Sequence, residues 1–474
     1  MTKVRSRRPA RSVVTAALAV ILVVSACGPT ASASPSGAPS GAASPTAGSP
    51  AASPSGGASP SAPGSPSGSP ALTGTLRVWD QEVREALGPV VESLNAEFEA
   101  ANPGVTIERE SKSFDDLKAT VKIALADANG PDVAQVNQGR GDMGAAVGAG
   151  LLLPLTEHAD RFGWSERWGE GVLARNSFTD DGTTFGSGTL YGVSMTGEIV
   201  GIFYNKEKLA ALNFQVPRAF PELVDQLTAI MDAGETPIAF GNLEGDALQI
   251  YGSILETLVD REWLDDWIYG AEDASFDIPE ATQAAESLLD FAESGYFTEG
   301  YEGIGYDDSW RSFAGGEGVY FWTGSWIGGD LVGAGGEKFG FIRTPPETAG
   351  GASLSIGGVG LPWAIRKTTA NPELALAYID FMTSDAAMEK IAAAGVLPSH
   401  GDPPGSGQLF NEMKAAFADA NENDEIGHYL DWAAPTLFDL FKAEIPKMLA
   451  KQTTPGQFVD AINAEYESFV GTLD

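Results

Sequence analysis

Acidic, amide and guanidinium side chains gather directly after two stretches that read as strands. Asp80 and Gln81, with Glu82, follow "TLRVW"; Asn137, Gln138 and Arg140, with Asp142, follow "PDVAQV". Groups of this kind bond the hydroxyl rim of a polar solute, and residues just beyond the carboxyl ends of parallel strands face the ligand crevice of an open sheet. Other chemistry finds less support. The three histidines (His158, His400, His428) are far apart and the single cysteine is Cys27, so no spacing suggests a zinc site. "TDDGTTFGSG" has the look of a calcium loop without its closing glutamate, and a hairpin turn at Asp181-Gly182 is the simpler reading. "GRGDMGAAVGAG" lacks the Walker lysine and the dinucleotide glycine spacing, and no Gly-x-Ser-x-Gly elbow occurs. Arg140-Gly141-Asp142 spells an adhesion tripeptide, which is too short to carry an argument. A glycoside hydrolase needs two carboxylates across a sugar cleft; with 64 acidic residues that remains the rival reading.

The elements that position these residues follow from hydrophobic period. Thr75–Asp80 reads as a strand. "GPVVESLNAEFEAANPG" places Val91, Leu94 and Phe98 on one helical face before a Pro-Gly stop. "VTIERE" is a second strand, "FDDLKATVKIALADANG" a helix aligning Leu117, Val121 and Leu125, and "PDVAQVN" a third strand. Strand-helix-strand-helix-strand at this spacing predicts a parallel sheet covered by helices, an α/β fold.

Ahead of this comes a different kind of chain. Lys3, Arg5, Arg7, Arg8 and Arg11 precede the uncharged run Val13–Val24, which is shorter than the roughly 20 residues a membrane span needs and reads as a secretory signal. Val24-Ser25-Ala26-Cys27 is similar to the lipobox of bacterial lipoproteins, which implies cleavage before Cys27 and a lipid on its sulfur. Residues 28–71 are only Gly, Ala, Ser, Thr and Pro, a tether unable to bury a core. Its 44 residues reach roughly 40 Å as a coil and up to about 130 Å as polyproline II. The remaining 403 residues exceed what one core usually serves, so two lobes are expected. Loss of the five basic residues in 1–27 takes the net charge from −35 to −40. That argues against nucleic acid and against adhesion to an anionic bilayer.

Five segments in order carry a resemblance: "LNAEFEAANPGVTIE", "GPDVAQV", "LYGVSMTGEIVGIFYNKEKL" with Tyr204-Asn205-Lys206, "FAGGEGVYFWTGSW", and "NPELALAYIDFMTSDAAMEKIAAAGVLPS". Together the chain resembles the bacterial ABC-transporter extracellular solute-binding proteins, in their carbohydrate-binding, maltose-binding-protein-like group. The resemblance implies a two-lobed type 2 periplasmic-binding-protein fold, each lobe a sheet flanked by helices, joined by crossing hinge strands. Lobe one is expected over 72–200 and 357–395, lobe two over 201–356 and 396–474.

The resemblance also implies site residues. Trp326 in "TGSW" matches a ligand-stacking tryptophan, with lobe core as the alternative. Glu198 matches a ligand-binding glutamate, with a hinge carboxylate as the alternative. Tyr306 matches a ligand-side tyrosine; Asp307 beside it is a candidate contact, although an Asp-Asp pair before a helix is more often an N-cap. Asp246 stands where the group has an aromatic, which favours a more polar contact than a maltodextrin. Trp432 in "YLDWAAPTLFDL" lies near the last cleft helix, although such a stripe is usually core. Gly357 in "LSIGGVGLPWAI" serves hinge, ligand approach or turn. The implied function is a non-enzymatic trap for a mono- or oligosaccharide. It would be anchored through Cys27 outside the cell membrane, without cofactor or metal, as a monomer. It would deliver its ligand to ABC permease subunits driven by a separate ATPase. The same clamp binding a non-sugar polar solute is the further alternative.

Overall fold

Leu76, Val78 and Asp80 turn inward along the first strand while Arg77 points out, and that alternation seats the strand in its sheet. The computed structural model describes residues 71–405 and 407–473; the signal, Cys27 and the tether up to residue 70 lie outside the described residues. In chain order the strands are β1 (Thr73–Asp80), β2 (Gly104–Ser111), β3 (Val133–Gln135), β4 (Ser177–Phe178), β5 (Thr189–Leu190), β6 (Gly197–Asn205), β7 (Tyr320–Gly324), β8 (Phe339–Ile342), β9 (Ser355–Val359), β10 (Trp363–Ile365) and β11 (Ile426–Gly427).

The first sheet has the order β10-β3-β1-β2. β1 runs parallel to β2, from Thr73 opposite Gly104 to Asp80 opposite Ser111, and parallel to β3 at Val78 and Val133. β10 returns from far along the chain and pairs antiparallel with β3. Helix α1 (Gly88–Ala101) buries Val91, Leu94 and Phe98, and α2 (Phe114–Ala126) buries Leu117, Val121 and Leu125. Ser113 caps α2 by accepting the Asp116 N–H. The third strand is shorter than the expected 131–137. Pro131 has no N–H to give a ladder, and the Asp132 side chain is engaged by Arg366 at 3.0 Å and by the Arg77 N–H at 3.1 Å.

The second sheet has the order β11-β9-β6-β7, with β8 also on β6. β6 is buried at every position except Glu198, so its sequence is an apolar run rather than an alternation. It ends at Asn205, whose Oδ1 accepts the N–H groups of Glu207 and Lys208 and caps the helix Lys206–Ala211. That cap is the physical content of the Tyr-Asn-Lys motif. Ile202, Tyr204 and Trp322 pack with Ile250, Leu288 and Phe441 in one core, while Val78, Leu94 and Phe98 pack with Trp363, Tyr378 and Ile379 in another.

Between the sheets three chain segments run side by side. Val193 and Trp363 exchange main-chain hydrogen bonds, the Gly360 N–H donates to Thr196, and the Gly197 N–H donates to Leu397. The lead-in to β6 is thus held between the β9–β10 connection and the segment near residue 397. Three adjacent crossings can bend together where a single linker would swivel freely.

Candidate functional site

Trp326 leaves the end of β7 in a single turn, Ser325–Ile327, and folds back over Gly324. A β-carbon on Gly324 would fall 1.8 Å from the indole, so only glycine admits this pose. The indole N–H donates to the Tyr306 hydroxyl at 2.6 Å. Thr323 Oγ1 lies 2.9 Å from the same hydroxyl and itself donates to Gln249 Oε1 at 3.3 Å. The Tyr306 hydroxyl must therefore donate to Thr323, and the chain Trp326, Tyr306, Thr323, Gln249 runs in one direction. Glu244 accepts the Tyr306 main-chain N–H at 2.8 Å, and Arg84, from the other lobe, lies 5.5 Å from the centre of the Tyr306 ring.

A second cluster forms at the hinge. Glu198, the one half-buried residue of β6, accepts the Tyr429 hydroxyl at 2.8 Å, and the Tyr429 ring lies 5.1 Å from that of Trp432. Burial pushes the Glu198 carboxyl up to about 7, against the opposing pull of the Tyr429 hydrogen bond and the Arg175 charge. The lobes meet at two rims. At one, the Ala86 N–H donates to Asp330 Oδ1 at 3.1 Å. At the other, Lys442 pairs with Asp115 at 3.3 Å, and Lys118 lies 4.2 Å from the Phe438 ring.

Several residues expected to face a ligand have other employment. Asp80 is fully buried; Arg109 and Ser111 bond its oxygens at 2.7 to 2.9 Å, and the Glu82 N–H adds a fourth bond. It fastens β1 to β2. The Gln81 main-chain N–H donates to Gln135. Gln138 is buried and donates to the carbonyls of Val359 and Gly360 at the hinge. Asn137 donates to Asp142, which also pairs with Lys118. Arg140 is buried and gives its protons to the carbonyls of Thr183, Ile268, Tyr269 and Ala433, while burial lowers it to about 10. An arginine so engaged meets no anionic ligand, and the Arg-Gly-Asp triplet has no exposed cation to present. Asp307 is exposed in the first turn of the helix Tyr306–Ala314, bonded to Trp310 within that helix; the cap position belongs to Gly305. Trp432 is buried against Phe185 and Gly139, the wall behind Tyr429. Gly357 is required by the close approach of β6: its β-carbon would lie 2.6 Å from the Glu198 carbonyl oxygen.

Asp246 does lie near the Tyr306 cluster. It makes no cap to the helix Ala247–Leu258, its Oδ2 finds no hydrogen-bond partner among the described residues, and burial with the charges of Glu244 and Asp115 raises it to about 7. Sequence reasoning missed Arg84, Glu244, Thr323 and Gln249. Arg84 had a signal, as the lone cation in "WDQEVREALG" after the first strand; the other three had none, because only the fold sets them around Tyr306. The Asp181 loop closes on itself, with Oδ1 accepting from the Thr183 N–H and hydroxyl and from the Thr179 hydroxyl. Among the described residues no group of three or more His, Cys, Asp or Glu could hold a metal, and no helix is long and apolar enough to cross a membrane. A concavity of about 300 Å³ lies away from both clusters, between α1 and β2 beside Arg109 and Glu99. It is a surface groove, with none of the aromatic faces that the seam between the lobes offers.

Comparison with known proteins adds to this geometry. Residues 81–389 match the family described as bacterial extracellular solute-binding protein. The multiple sugar-binding protein of Streptococcus mutans serotype c is 22% identical over 324 residues, 65% of this chain and 71% of that protein. A chitin oligosaccharide binding protein superposes with a TM-score of 0.74 at 20% identity, covering 84% of this chain and 99% of its own. The GacH receptor of Streptomyces glaucescens GLA.O superposes with a TM-score of 0.70 at 19% identity, over 84% and 99%.

Proposed function

Because the chain belongs to the bacterial extracellular solute-binding proteins and has their two-lobed type 2 fold, we propose that it captures a mono- or oligosaccharide by closure of its lobes. The observation that carries this reading is the one-way hydrogen-bonded chain from Trp326 through Tyr306 and Thr323 to Gln249. It fixes two aromatic rings at the seam of the lobes with amide and carboxylate groups at their edge. A sugar ring presents apolar C–H faces to such rings and hydroxyls to such a rim. The names of the multiple sugar-binding and chitin oligosaccharide relatives point the same way.

The closing bodies are residues 72–200 with 357–395, and 201–356 with 396–474. Glu198 and Tyr429 meet the ligand at the hinge, Trp326 and Tyr306 from the second lobe, and Arg84 from the first. The protein works as a monomer without catalysis, moored outside the cell membrane by a lipid on Cys27, and hands its cargo to ABC permease subunits with a separate ATPase. If the anchor is real, Cys27→Ala releases the protein from the membrane fraction; retention refutes it.

Thermal melting of the purified protein against mono- and oligosaccharides, with amino acids and polyamines as controls, tests the main reading. A ligand bound only by the folded state stabilises it by about 2.7 kcal/mol at a hundredfold excess over its dissociation constant. A shift with one sugar class, and that sugar recovered intact, is the expected result. Cleavage of the sugar makes the protein a glycoside hydrolase instead. A shift with a control alone keeps the clamp and discards the carbohydrate.

A further inference from the structure

We propose that Arg175 is the positioning residue of the Glu198–Tyr429 pair, reaching from a helix packed on the first sheet to main-chain carbonyls of the second sheet. This rests on the reading of that pair as part of the ligand site.

Arg175 follows the helix Glu170–Ala174, whose Val172 and Leu173 pack into the core of the first sheet. Its guanidinium crosses to the second sheet. Nη1 donates to the Gly357 carbonyl at 2.6 Å; Nη2 donates to those of Gly427 at 3.0 Å and Ile426 at 3.3 Å. The residue is 6% exposed, and these hydrogen bonds all end on main chain rather than on a carboxylate. Burying a cation without a neutralising partner is costly, and the burial pulls this guanidinium below its ordinary value.

What the cation holds explains why it stands there. Gly357 is paired with Ile199 on β6, next to Glu198. Gly427 lies two positions before Tyr429, in β11, a two-residue strand that pairs with β9 at the edge of its sheet among the described residues. So short an edge strand has few ladder bonds of its own to set the direction of the residues that follow. One planar fork thus ties β11, which leads to the hydroxyl, to β9, the neighbour of the strand that carries the carboxylate. The same guanidinium lies 5.9 Å from the centre of the Trp432 ring, which backs Tyr429. Arg140 grips the far side of this segment at the Ala433 carbonyl, so residues 426–433 are held at both ends from the first lobe.

The arrangement also gives Arg175 an electrostatic readout that simple packing lacks. Its charge favours the ionised form of Glu198. The titratable and charged groups around the guanidinium are Glu198, Tyr269, Glu256, Asp265, Arg261 and His428, with Tyr429 on the far side of Glu198.

The test compares Arg175→Met, Arg175→Lys, Glu198→Gln and the two double variants. Sugar affinity is measured, together with ligand-free melting across pH. Arg175→Met is expected to weaken sugar binding about tenfold, and that loss should largely vanish in the Glu198→Gln background, as for groups in one network. In the ligand-free protein, the difference in melting between parent and Glu198→Gln reports the Glu198 titration. Its midpoint should rise in Arg175→Met. It should return toward the parent in Arg175→Lys, which keeps the charge but cannot reach three carbonyls and so stays weak in binding. An equal affinity loss with and without Glu198, with an unmoved midpoint, overturns the proposal and leaves Arg175 a packing residue. If Arg175→Met does not fold, Arg175→Lys with its double variant makes the same affinity comparison. If the parent binds no sugar, the function proposed above fails, while the ligand-free midpoint still judges Arg175.

Discussion

Trp326 can lie where it does because residue 324 has no side chain, and its indole N–H is spent on Tyr306 rather than on solvent. Its ring face is therefore held ready for an apolar partner. Trp326→Ala is expected to lose roughly 1–3 kcal/mol of sugar binding, the burial of a large apolar side chain, with the fold intact. Calorimetric titration checks this, and unchanged affinity removes the residue from the site. Carboxylates at this scale make a pH prediction. Burial raises Glu198 and Asp246 to about 7 from ordinary values of 4.5 and 3.8. The folded state thus keeps protons that the unfolded chain has already released. Stability is fullest below the unfolded values and falls as pH rises through the window toward 7. Glu82, raised to about 7, and Glu256, raised to about 8, act with the same sign. The ligand-free melting temperature should decline from about pH 5 to about pH 8, and Glu198→Gln should flatten part of the decline. A slope identical in parent and variant refutes the assignment.

The elements carry these residues by simple devices. β6 is buried at eight of nine positions because the fold covers it on both sides, and the exception is the residue at the hinge. Asn205 ends the strand and starts the next helix in one stroke, its side chain taking two N–H groups that would otherwise lack acceptors. Asn205→Ala is expected to cost about 1 kcal/mol, as lost N-caps do, without changing sugar affinity. Denaturant unfolding measures the first and titration the second; a large affinity change would mean that the cap also positions the cleft.

At the scale of the whole molecule, function reduces to whether two bodies can meet. Ala86 touches the second lobe at Gly329 and Asp330, where a β-carbon on Gly329 would lie only 2.6 Å from that of Ala86. A bulky residue at this half-buried rim position is a wedge. Ala86→Phe is expected to cost closure about 1–3 kcal/mol, the usual penalty of overpacking. Its radius of gyration in solution should stay large when sugar is added, whereas that of the parent should fall. A variant that closes like the parent would show that this rim does not limit the motion.

How much of this was legible beforehand depended on the range of the interaction involved. The first parallel strands and helices could be read because Val91, Leu94 and Phe98, or Leu117, Val121 and Leu125, recur with the period of the element that buries them, and that period is local. The resemblance of five ordered segments carried the family and pointed to Trp326, Tyr306 and Glu198. Residues assigned from their place after a strand fared differently. Asp80 and Arg140 have the right chemistry for a polar solute, yet the folded chain binds one with Arg109 and the other with carbonyls 128 and 293 positions away. The bond from Tyr429 to Glu198 spans 231 positions. A side chain's type states what it can bond, and local pattern states which face of an element it occupies. Which partner it finds depends on how distant segments are brought together, and a buried polar group must satisfy its hydrogen bonds with whatever the fold sets beside it. Element type and family were therefore settled within the sequence, whereas which polar side chains brace strands, which lie in the core and which stand at the seam was decided only when the lobes were assembled.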